Sequence, residues 1–284
     1  MATIVSGFLV PHDPIMFVAP DAPAKDIADK AWGAYETCAV HLADLDVDTV
    51  IIIGNDHYML FGTTCLPQYC IATGDLDGPL DQMPGLKRQL IPNNEALATH
   101  IATHGHANGF DWAVARSFTT DHSFSIPFQK IVQRASEIKG KEIKAIPVYL
   151  ASAVDPFLSM QRSQQLGQAI AKAVKAFKGD ERIAVIGSGG ISHWVGTKES
   201  GTVNEDFDRE ILAFCLSLDE ASIMALSDEK ILSEGGNGAM ELRNFVCAMA
   251  AVEADSSELI EYQPVPEWVT GLGFVELKKN PTKS

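Results

Sequence analysis

Apolar runs of strand length alternate with amphipathic stretches along the chain. Residues 2–10 and 49–53 are apolar and rich in β-branched side chains, and the second run is apolar at nearly every position. Strands that are covered on both faces have this composition. Residues 22–45 have the spacing of an amphipathic helix. Its apolar stripe consists of Ile27, Ala31, Tyr35, Cys38 and Leu42.

The remaining elements continue this alternation. Further strands are predicted at residues 65–73, 143–150, 182–188 and 272–277, and further helices at 86–104, 127–138, 157–177, 204–218 and 238–252. The Pro-Asn-Asn stretch at 92–94 is a point at which the helix at 86–104 can break into two pieces. The strand–helix–strand order between residues 143 and 188 is typical of a parallel βαβ unit. No linker or internal repeat is evident. We therefore predict a single α/β domain over residues 1–284, with a central mostly parallel or mixed sheet flanked by helices and a flexible tail at 278–284.

The composition is globular and acidic. Among 284 residues, 22 are Lys or Arg and 37 are Asp or Glu, which gives a formal net charge of -15. Nucleic acid and anionic membranes are therefore not expected as partners, because both require clustered basic side chains. A local basic pocket for a small anionic substrate remains compatible with this charge.

Five scattered cysteines form no CxxC pair. This pattern favours reduced thiols over a disulfide framework or a thiolate zinc site. No apolar run of about 18 residues occurs, and the N-terminal segment does not resemble a signal peptide. We therefore expect a cytoplasmic protein without a membrane span.

Three histidines directly follow predicted strands. His12 follows the first strand, His57 follows the strand at residues 49–53, and His193 follows the strand at residues 182–188. The carboxyl ends of parallel strands meet at one edge of a sheet, where sites gather. One histidine alone is more often a hydrogen-bonded structural residue. Three that converge favour a functional site.

Other candidates have plain structural explanations. His122 precedes a predicted helix and is equally well explained as a capping-loop residue. His100 and His104 have the i, i+4 spacing of a zinc helix, but Ile101 stands where that motif has Glu, so a surface or capping role is favoured. Glu241 follows a glycine-rich loop and, taken alone, is an ordinary helix N-terminal acid.

Two nucleotide motifs and one hydrolase motif are missing from the sequence. The run GSGG at residues 187–190 follows a strand, but Ser192 stands where GxGxxG requires its last glycine. No GKS/T phosphate loop and no GxSxG nucleophile elbow occur. Nucleotide binding and an α/β-hydrolase mechanism are therefore disfavoured.

The histidine segments together resemble a known family. They are PHDP at His12, GNDHY at His57, TTDHSFSIPF at His122 and GSGGISHW at His193, followed by NEDFDREIL and by GNGAMELRN at Glu241. In this order and spacing the chain resembles the class III extradiol ring-cleavage dioxygenases, and within them the catalytic β subunit of protocatechuate 4,5-dioxygenase. The resemblance extends from the first strand to about residue 276.

This resemblance implies a set of site residues. Non-haem Fe(II) would be held by His12, His57 and Glu241, and such a set leaves adjacent metal positions open for a catechol and O2. His193 matches the family's acid/base position, and His122 matches a second active-site histidine that contacts the substrate hydroxyl or oxygen. Asp13 and Asp56 flank the two histidine ligands either as their hydrogen-bond partners or as turn caps.

The implied activity is extradiol (meta) cleavage of a catecholic ring with O2. A protocatechuate- or gallate-like acid is the first expectation, and a non-carboxylated catechol or an aminophenol is the alternative. A zinc-dependent enzyme on the same scaffold and a non-catalytic interaction protein are competing hypotheses. The resemblance also implies either a separate small α subunit or a homo-oligomer as partner.

Overall fold

A nine-stranded mixed sheet forms the centre of the computed structural model, which describes residues 1–62 and 64–280. Its strands are β1 (Thr3–Val10), β2 (Thr49–Gly54), β3 (Tyr69–Gly78), β4 (Gln89–Leu90), β5 (Ala113–Thr119), β6 (Lys144–Leu150), β7 (Arg182–Ser188), β8 (Ser256–Val265) and β9 (Thr270–Lys278). The strand order is β4-β3-β6-β2-β7-β1-β9-β8, and β5 pairs with β3. The predicted α/β class with a mixed central sheet is confirmed.

Helices cover both faces of this sheet. They are α1 (Ile15–Val18), α2 (Lys25–Asp44), α3 (Glu95–Ala107), α4 (His122–Pro127), α5 (Arg134–Lys139), α6 (Met160–Ala176), α7 (Glu205–Leu216), α8 (Glu220–Met224), α9 (Asp228–Lys230) and α10 (Leu242–Val252). Wider π-type turns at Phe128–Gln133 and Ile231–Gly235 and short 3-10 turns at Gly238–Glu241 and Pro266–Trp268 complete the set. Within the described residues, no helix is long and apolar enough to cross a membrane.

The alternation of side chains along β2 divides the core into two layers. Val50 and Ile52 pack in the layer under α2, whereas Ile51 and Ile53 pack in the layer under α6 and α10. Every residue of β2 is buried. This two-sided burial explains why the run is apolar at nearly every position.

Four parallel strands in the order β6-β2-β7-β1 deliver the candidate residues to one edge. Val10 at the end of β1 lies opposite Ser188 at the end of β7, and Ile53 near the end of β2 lies opposite Gly187. The segments that follow these three strands therefore leave the sheet at the same edge, as expected of a parallel sheet.

Two predicted helices have different limits in the structure. The helix predicted at 86–104 is wrong in its first half, where residues 89 and 90 form β4, and α3 begins only after Asn94. The Asn94 side chain accepts a hydrogen bond from Leu97 N, and this cap sets the start of the helix. The helix predicted at 127–138 begins at His122, because the Asp121 carboxylate accepts from Ser123 N and caps it.

The strands β5 and β8 were not predicted from the sequence. The predicted tail begins at Lys278, which is the last residue of β9, and residues 281–284 lie outside the described residues. The cysteines agree with the expectation of reduced thiols, since all five are free and four are buried.

Two of the three histidines of α3 have backbone partners. His100 Nε2 lies 3.0 Å from Ala173 O, and His106 Nε2 lies 3.2 Å from Trp112 O. These contacts agree with the structural interpretation of that cluster.

Candidate metal centre and active site

Glu241 lies at the centre of a group of histidines. Its side chain is 1% exposed, and its Oε1 lies 3.2 Å from His12 Nε2 and 3.4 Å from His57 Nε2. Its Oε2 lies 3.7 Å from His193 Nε2. The three strand-end histidines thus converge as predicted, and they converge on this carboxylate.

Two neutral donors fix the Glu241 carboxylate. Asn55 Nδ2 donates to Oε1 at 3.0 Å, and the backbone N–H of Gly190 donates to Oε2 at 3.1 Å. The preceding 3-10 turn must approach the histidines closely, since a Cβ on Gly238 would lie 2.0 Å from His193 Nε2. The glycine-rich loop therefore allows His193 to lie directly against the turn that carries Glu241.

A serine fixes which ring nitrogen of His12 carries a proton. His12 Nδ1 lies 2.9 Å from Ser188 Oγ, and the same hydroxyl donates to Ser123 O at 2.7 Å. Because a hydroxyl has one proton, Ser188 Oγ accepts from His12 Nδ1–H. The Nε2 atom of His12 therefore keeps its lone pair and presents it to the site.

Carboxylates hold two further imidazoles in the same way. His57 Nδ1 donates to Asp121 Oδ2 at 2.8 Å, and His122 Nδ1 donates to Asp81 Oδ2 at 2.5 Å. The two rings are stacked, with centroids 4.1 Å apart and planes inclined by 19°. His122 therefore joins the site, and the Nδ1 atoms of both rings are engaged by carboxylates.

His193 is held by backbone groups. Its Nδ1 donates to Ile191 O at 3.2 Å, and its backbone N–H donates to Gly235 O at 2.8 Å. All four site histidines are thus engaged through Nδ1. Imidazoles that bind metals through Nε2 have this arrangement, in which the other ring nitrogen donates to a protein acceptor.

The donor atoms have the spacing of a metal site. One nitrogen each of His12, His57 and His122 lie within 4.8 Å of one another. Metal–ligand bonds of about 2.1 Å at octahedral or tetrahedral angles place neighbouring ligand atoms about 3.0–3.4 Å apart. The distances from Glu241 Oε1 to His12 and His57 fall in this range. Two overlapping sets are therefore able to hold a metal, one with three histidines and one with Glu241.

Burial and mutual charge shift the pKa values of these groups. Burial lowers the pKa of His12 and of His193. Burial also disfavours the charged form of His57, but Asp121 and Glu241 outweigh it and raise its pKa to about 10. Burial acts to raise the pKa of Glu241, yet the surrounding imidazoles hold it well below its usual value. The buried carboxylate is therefore ionised and attracts a cation.

A cavity of about 340 Å³ opens over these groups. Its size lies within the usual range for small-molecule sites, about 300–1,000 Å³. It is lined mainly by apolar surface, from His12, Asp13, Pro14, Ile15, His57, His122, Gly190, His193, Val195, Gly196, Ser200, Val269 and Thr270. In the described part of the chain, no Lys or Arg belongs to this lining.

The two aspartates beside the histidine segments cap turns. Asp56 accepts from Leu60 N at 2.8 Å and from Phe61 N at 3.0 Å. Asp13 Oδ1 accepts from Ile15 N at 2.8 Å, and burial raises the pKa of this carboxyl to about 7. These contacts agree with the turn-capping alternative for both residues.

Sequence reasoning missed the groups that orient the imidazoles. They are Ser188, Asp121 and Asp81, together with Asn55 beside Glu241. Asp121 had a local signal, because an Asp immediately before a helix start is a strong N-cap candidate. The other three have no such pattern in the sequence.

The chain is similar to known aromatic ring-opening enzymes. Residues 6–273 match the family model described as the catalytic LigB subunit of aromatic ring-opening dioxygenase. A 2,3-dihydroxyphenylpropionate/2,3-dihydroxicinnamic acid 1,2-dioxygenase of Rhodococcus jostii (strain RHA1) is 23% identical, over 93% of this chain and 95% of that protein. The enzyme of the same name from Photorhabdus laumondii is 24% identical, over 93% and 94%.

A solved structure shares the fold. The crystal structure of uncharacterized protein JW3007 from Escherichia coli K12 superimposes with a TM-score of 0.60 at 10% sequence identity. The match covers 96% of this chain and 99% of that one. At this identity the similarity supports the fold alone.

Proposed function

Because the chain belongs to the family of catalytic LigB subunits of aromatic ring-opening dioxygenases, we propose that it holds Fe(II) through His12, His57 and Glu241. It is an extradiol ring-cleaving dioxygenase. The proposed reaction is meta cleavage of a catecholic ring, beside its two hydroxyl-bearing carbons, with incorporation of both atoms of O2.

The position of Glu241 is the main observation that supports this ligand set. Its carboxylate is fully buried and ionised, and it is held by a neutral amide and a neutral backbone N–H. In the metal-free protein the charge of Glu241 is balanced by the protonated His57, whose pKa is raised to about 10. A divalent cation between Glu241, His12 and His57 would replace that proton as the counter-charge, because a metal binds the neutral imidazole. A metal in the alternative set, which has His122 in place of Glu241, would also need a neutral His57 and would leave the carboxylate without a directly bound cation.

The donor chemistry fits iron. Two imidazole nitrogens and one carboxylate oxygen form the facial set used by non-haem Fe(II) oxygenases. When bound, Fe(II) supplies adjacent open positions for a catechol and O2 and the redox activity that Zn2+ does not have. The orientation of both imidazoles through Nδ1 by Ser188 and Asp121 favours binding through Nε2.

Two histidines outside this ligand set are assigned to the substrate. The Nδ1 of His193 donates to a backbone carbonyl, and burial favours its neutral form, so Nε2 is available to accept a proton from a catechol hydroxyl. The same group would return that proton later in the reaction. His122 also lines the cavity with Nε2 as an acceptor, which suits a hydrogen bond from a substrate hydroxyl.

The substrate itself has two candidates. The resemblance implies a protocatechuate- or gallate-like acid, and the curated relatives are named for aromatic acids with a carboxylate side chain. One observation favours the second candidate, a catechol or aminophenol without a carboxylate. The described lining of the cavity is mainly apolar and includes no Lys or Arg to bind an anion.

We extend the proposal to the setting in which the enzyme works. Residues 1–284 would form one catalytic domain of a cytoplasmic protein, in agreement with its five free cysteines. A separate small α subunit or further copies of the chain would be its partner. Nucleic acid and membranes would not be partners, because of the net charge of -15.

A substrate panel tests the proposed function. The protein is loaded with Fe(II) without oxygen and then mixed with O2 and one catechol at a time, both with and without a ring carboxylate. We expect one O2 consumed per ring opened and a yellow product for at least one catechol. A parallel sample loaded with Zn2+ should consume no O2. Equal turnover with either metal, or no product with any catechol, would contradict the proposal.

A further inference from the structure

Asp81 contacts His122 but does not belong to the described lining of the cavity. His122 Nδ1 lies 2.5 Å from Asp81 Oδ2, and the two side chains are 10% and 13% exposed. A carboxylate oxygen accepts, so Nδ1 carries a proton, and in the neutral imidazole the lone pair is then on Nε2. His122 lines the cavity, whereas Asp81 is absent from its described lining. The carboxylate therefore acts on the imidazole from behind.

The backbone next to Asp81 is fastened to the segment that carries His122. Leu80 N donates to Thr120 O at 2.7 Å, and Thr120 N donates to Asp77 O at 2.8 Å. The two segments approach so closely that a Cβ on Gly78 would lie 2.0 Å from Thr120 Oγ1. These contacts fix the backbone of the segment that carries Asp81 against the backbone of the segment that carries His122. The pair is therefore part of the folded framework and not an encounter between two mobile surface side chains.

The second oxygen of Asp81 is poorly placed for a role in stability alone. Asp81 Oδ1 is buried and has no hydrogen-bond partner among the residues that the structure describes. A buried polar atom without a protein partner reduces what its side chain contributes to stability. Among the described residues, the hydrogen bond of this carboxylate is the one to His122.

The neighbouring ring is held by a different carboxylate. His57 stacks on His122 and donates its own Nδ1–H to Asp121. Each of the two stacked imidazoles thus has a separate acceptor, so the orientation of His122 does not depend on the acceptor that holds the proposed metal ligand. Asp81 can be removed without touching the Asp121–His57 contact.

We propose that Asp81 is a positioning residue that holds His122 with Nε2 available to a hydroxyl of the bound catechol. This proposal rests on the proposed function, because it assigns His122 to the substrate. Without the carboxylate, the imidazole is free to rotate and to move its proton to Nε2. It would then present a donor where the catechol hydroxyl also presents a donor.

A double-variant kinetic experiment tests this role. Asp81→Asn should lower kcat/KM by about 10- to 100-fold, the usual effect of removing a group that orients an active-site side chain. Because Asp81 acts through His122, adding Asp81→Asn to His122→Ala should change kcat/KM less than twofold. Asp77→Asn is the matched control, since this carboxylate lies in the same segment but pairs with Arg88 at the surface. It should leave kcat/KM unchanged.

A spectroscopic measurement provides a readout that does not depend on turnover. The ring nitrogens of 15N-labelled histidine report which one carries the proton. In the wild-type protein, the His122 signals should show the Nδ1–H form, and in Asp81→Asn they should shift towards the Nε2–H form. A purely structural role for Asp81 would predict no such change in a folded variant.

The outcomes separate this inference from the proposed function. Wild-type protein that opens no catechol ring contradicts the proposed function itself. Wild-type protein that is active, with an Asp81→Asn loss that simply multiplies the His122→Ala loss, contradicts the role of Asp81 alone. An Nε2–H form of His122 in the wild-type protein would also overturn it.

Discussion

Asp121 accepts two hydrogen bonds from His57, one from the backbone N–H at 2.9 Å and one from Nδ1–H at 2.8 Å. The same carboxylate thus fixes both the backbone position and the ring orientation of this histidine. Its charge also contributes to the raised pKa of His57. We therefore expect Asp121 to prepare His57 Nε2 for metal binding.

Asp121→Asn should weaken metal binding by about 10- to 100-fold while the protein stays folded, because Asn also caps helix starts well. Competition between the protein and a calibrated chelator for Fe(II), under anaerobic conditions, measures the change. Asp56→Asn is the control, since Asp56 caps the adjacent loop without a hydrogen bond to the His57 ring. An affinity loss as large in Asp56→Asn as in Asp121→Asn would contradict the specific role of Asp121.

Ser188→Ala should reduce the free energy of unfolding by about 1–3 kcal/mol, because it leaves buried groups at His12 and Ser123 without partners. Denaturant unfolding of the metal-free protein measures this loss. Ser152→Ala is a matched control, since Ser152 Oγ is buried without a hydrogen-bond partner among the described residues. We expect that control to change stability less. Equal losses in the two variants would show that the Ser188 hydrogen bonds are not stabilising.

Gly238→Ala should lower kcat by at least about tenfold, the scale associated with displaced active-site groups. The new methyl carbon would lie 2.0 Å from His193 Nε2, much closer than van der Waals contact allows. It would therefore force the imidazole out of position. Gly33→Ala is the control, because a Cβ at this position of α2 has nothing within 4 Å. That control should raise helix stability by up to about 1 kcal/mol and leave kcat unchanged. Normal turnover in Gly238→Ala would contradict the proposed proximity of His193 to the reaction.

Asp208 should make stability depend on pH. Its carboxylate is buried, accepts from Ser192 N at 2.8 Å and from Tyr262 Oη at 2.7 Å, and has a pKa raised by burial from 3.8 to about 6. Between these two values the native state binds more protons than the unfolded state, so stability falls as pH rises. The loss is nearly complete at about pH 7 and then amounts to about 3 kcal/mol in total.

The variant Asp208→Asn isolates this effect, because its side chain does not titrate. Unfolding free energies of both proteins at pH 4 and pH 6.5 should show the variant gaining about 2 kcal/mol relative to the wild type over this interval. A constant difference between the two proteins across the interval would mean that Asp208 keeps an ordinary pKa.

The sequence was most informative for strands that are buried on both faces of the sheet. β2 and β7 are fully or almost fully buried, so their residues had to be apolar, and both were predicted with nearly correct limits. β5 and β8 were missed because they lie at or beside the edges of the sheet and many of their residues are exposed or half-buried. Such strands have no clear apolar run by which to recognise them.

The residues of the candidate site also fall into two groups, those that the sequence predicted and those that it did not. His12, His57 and His193 were found because they follow parallel strands, and the topology of such a sheet brings these positions together. Their orienting partners were not found, because these contacts are non-local. Ser188 is 176 residues from His12, and Asp121 is 64 residues from His57. Neither spacing belongs to a motif that a sequence reveals.

The central claim is that His12, His57 and Glu241 hold the metal and that His122 does not. The iron content of four variants, His12→Ala, His57→Ala, Glu241→Ala and His122→Ala, after anaerobic Fe(II) loading and gel filtration, tests it most directly. We predict about one Fe(II) per chain in the wild type and in His122→Ala, and almost none in the other three. Iron retained by Glu241→Ala but lost from His122→Ala would contradict the account and identify the three-histidine set as the metal site.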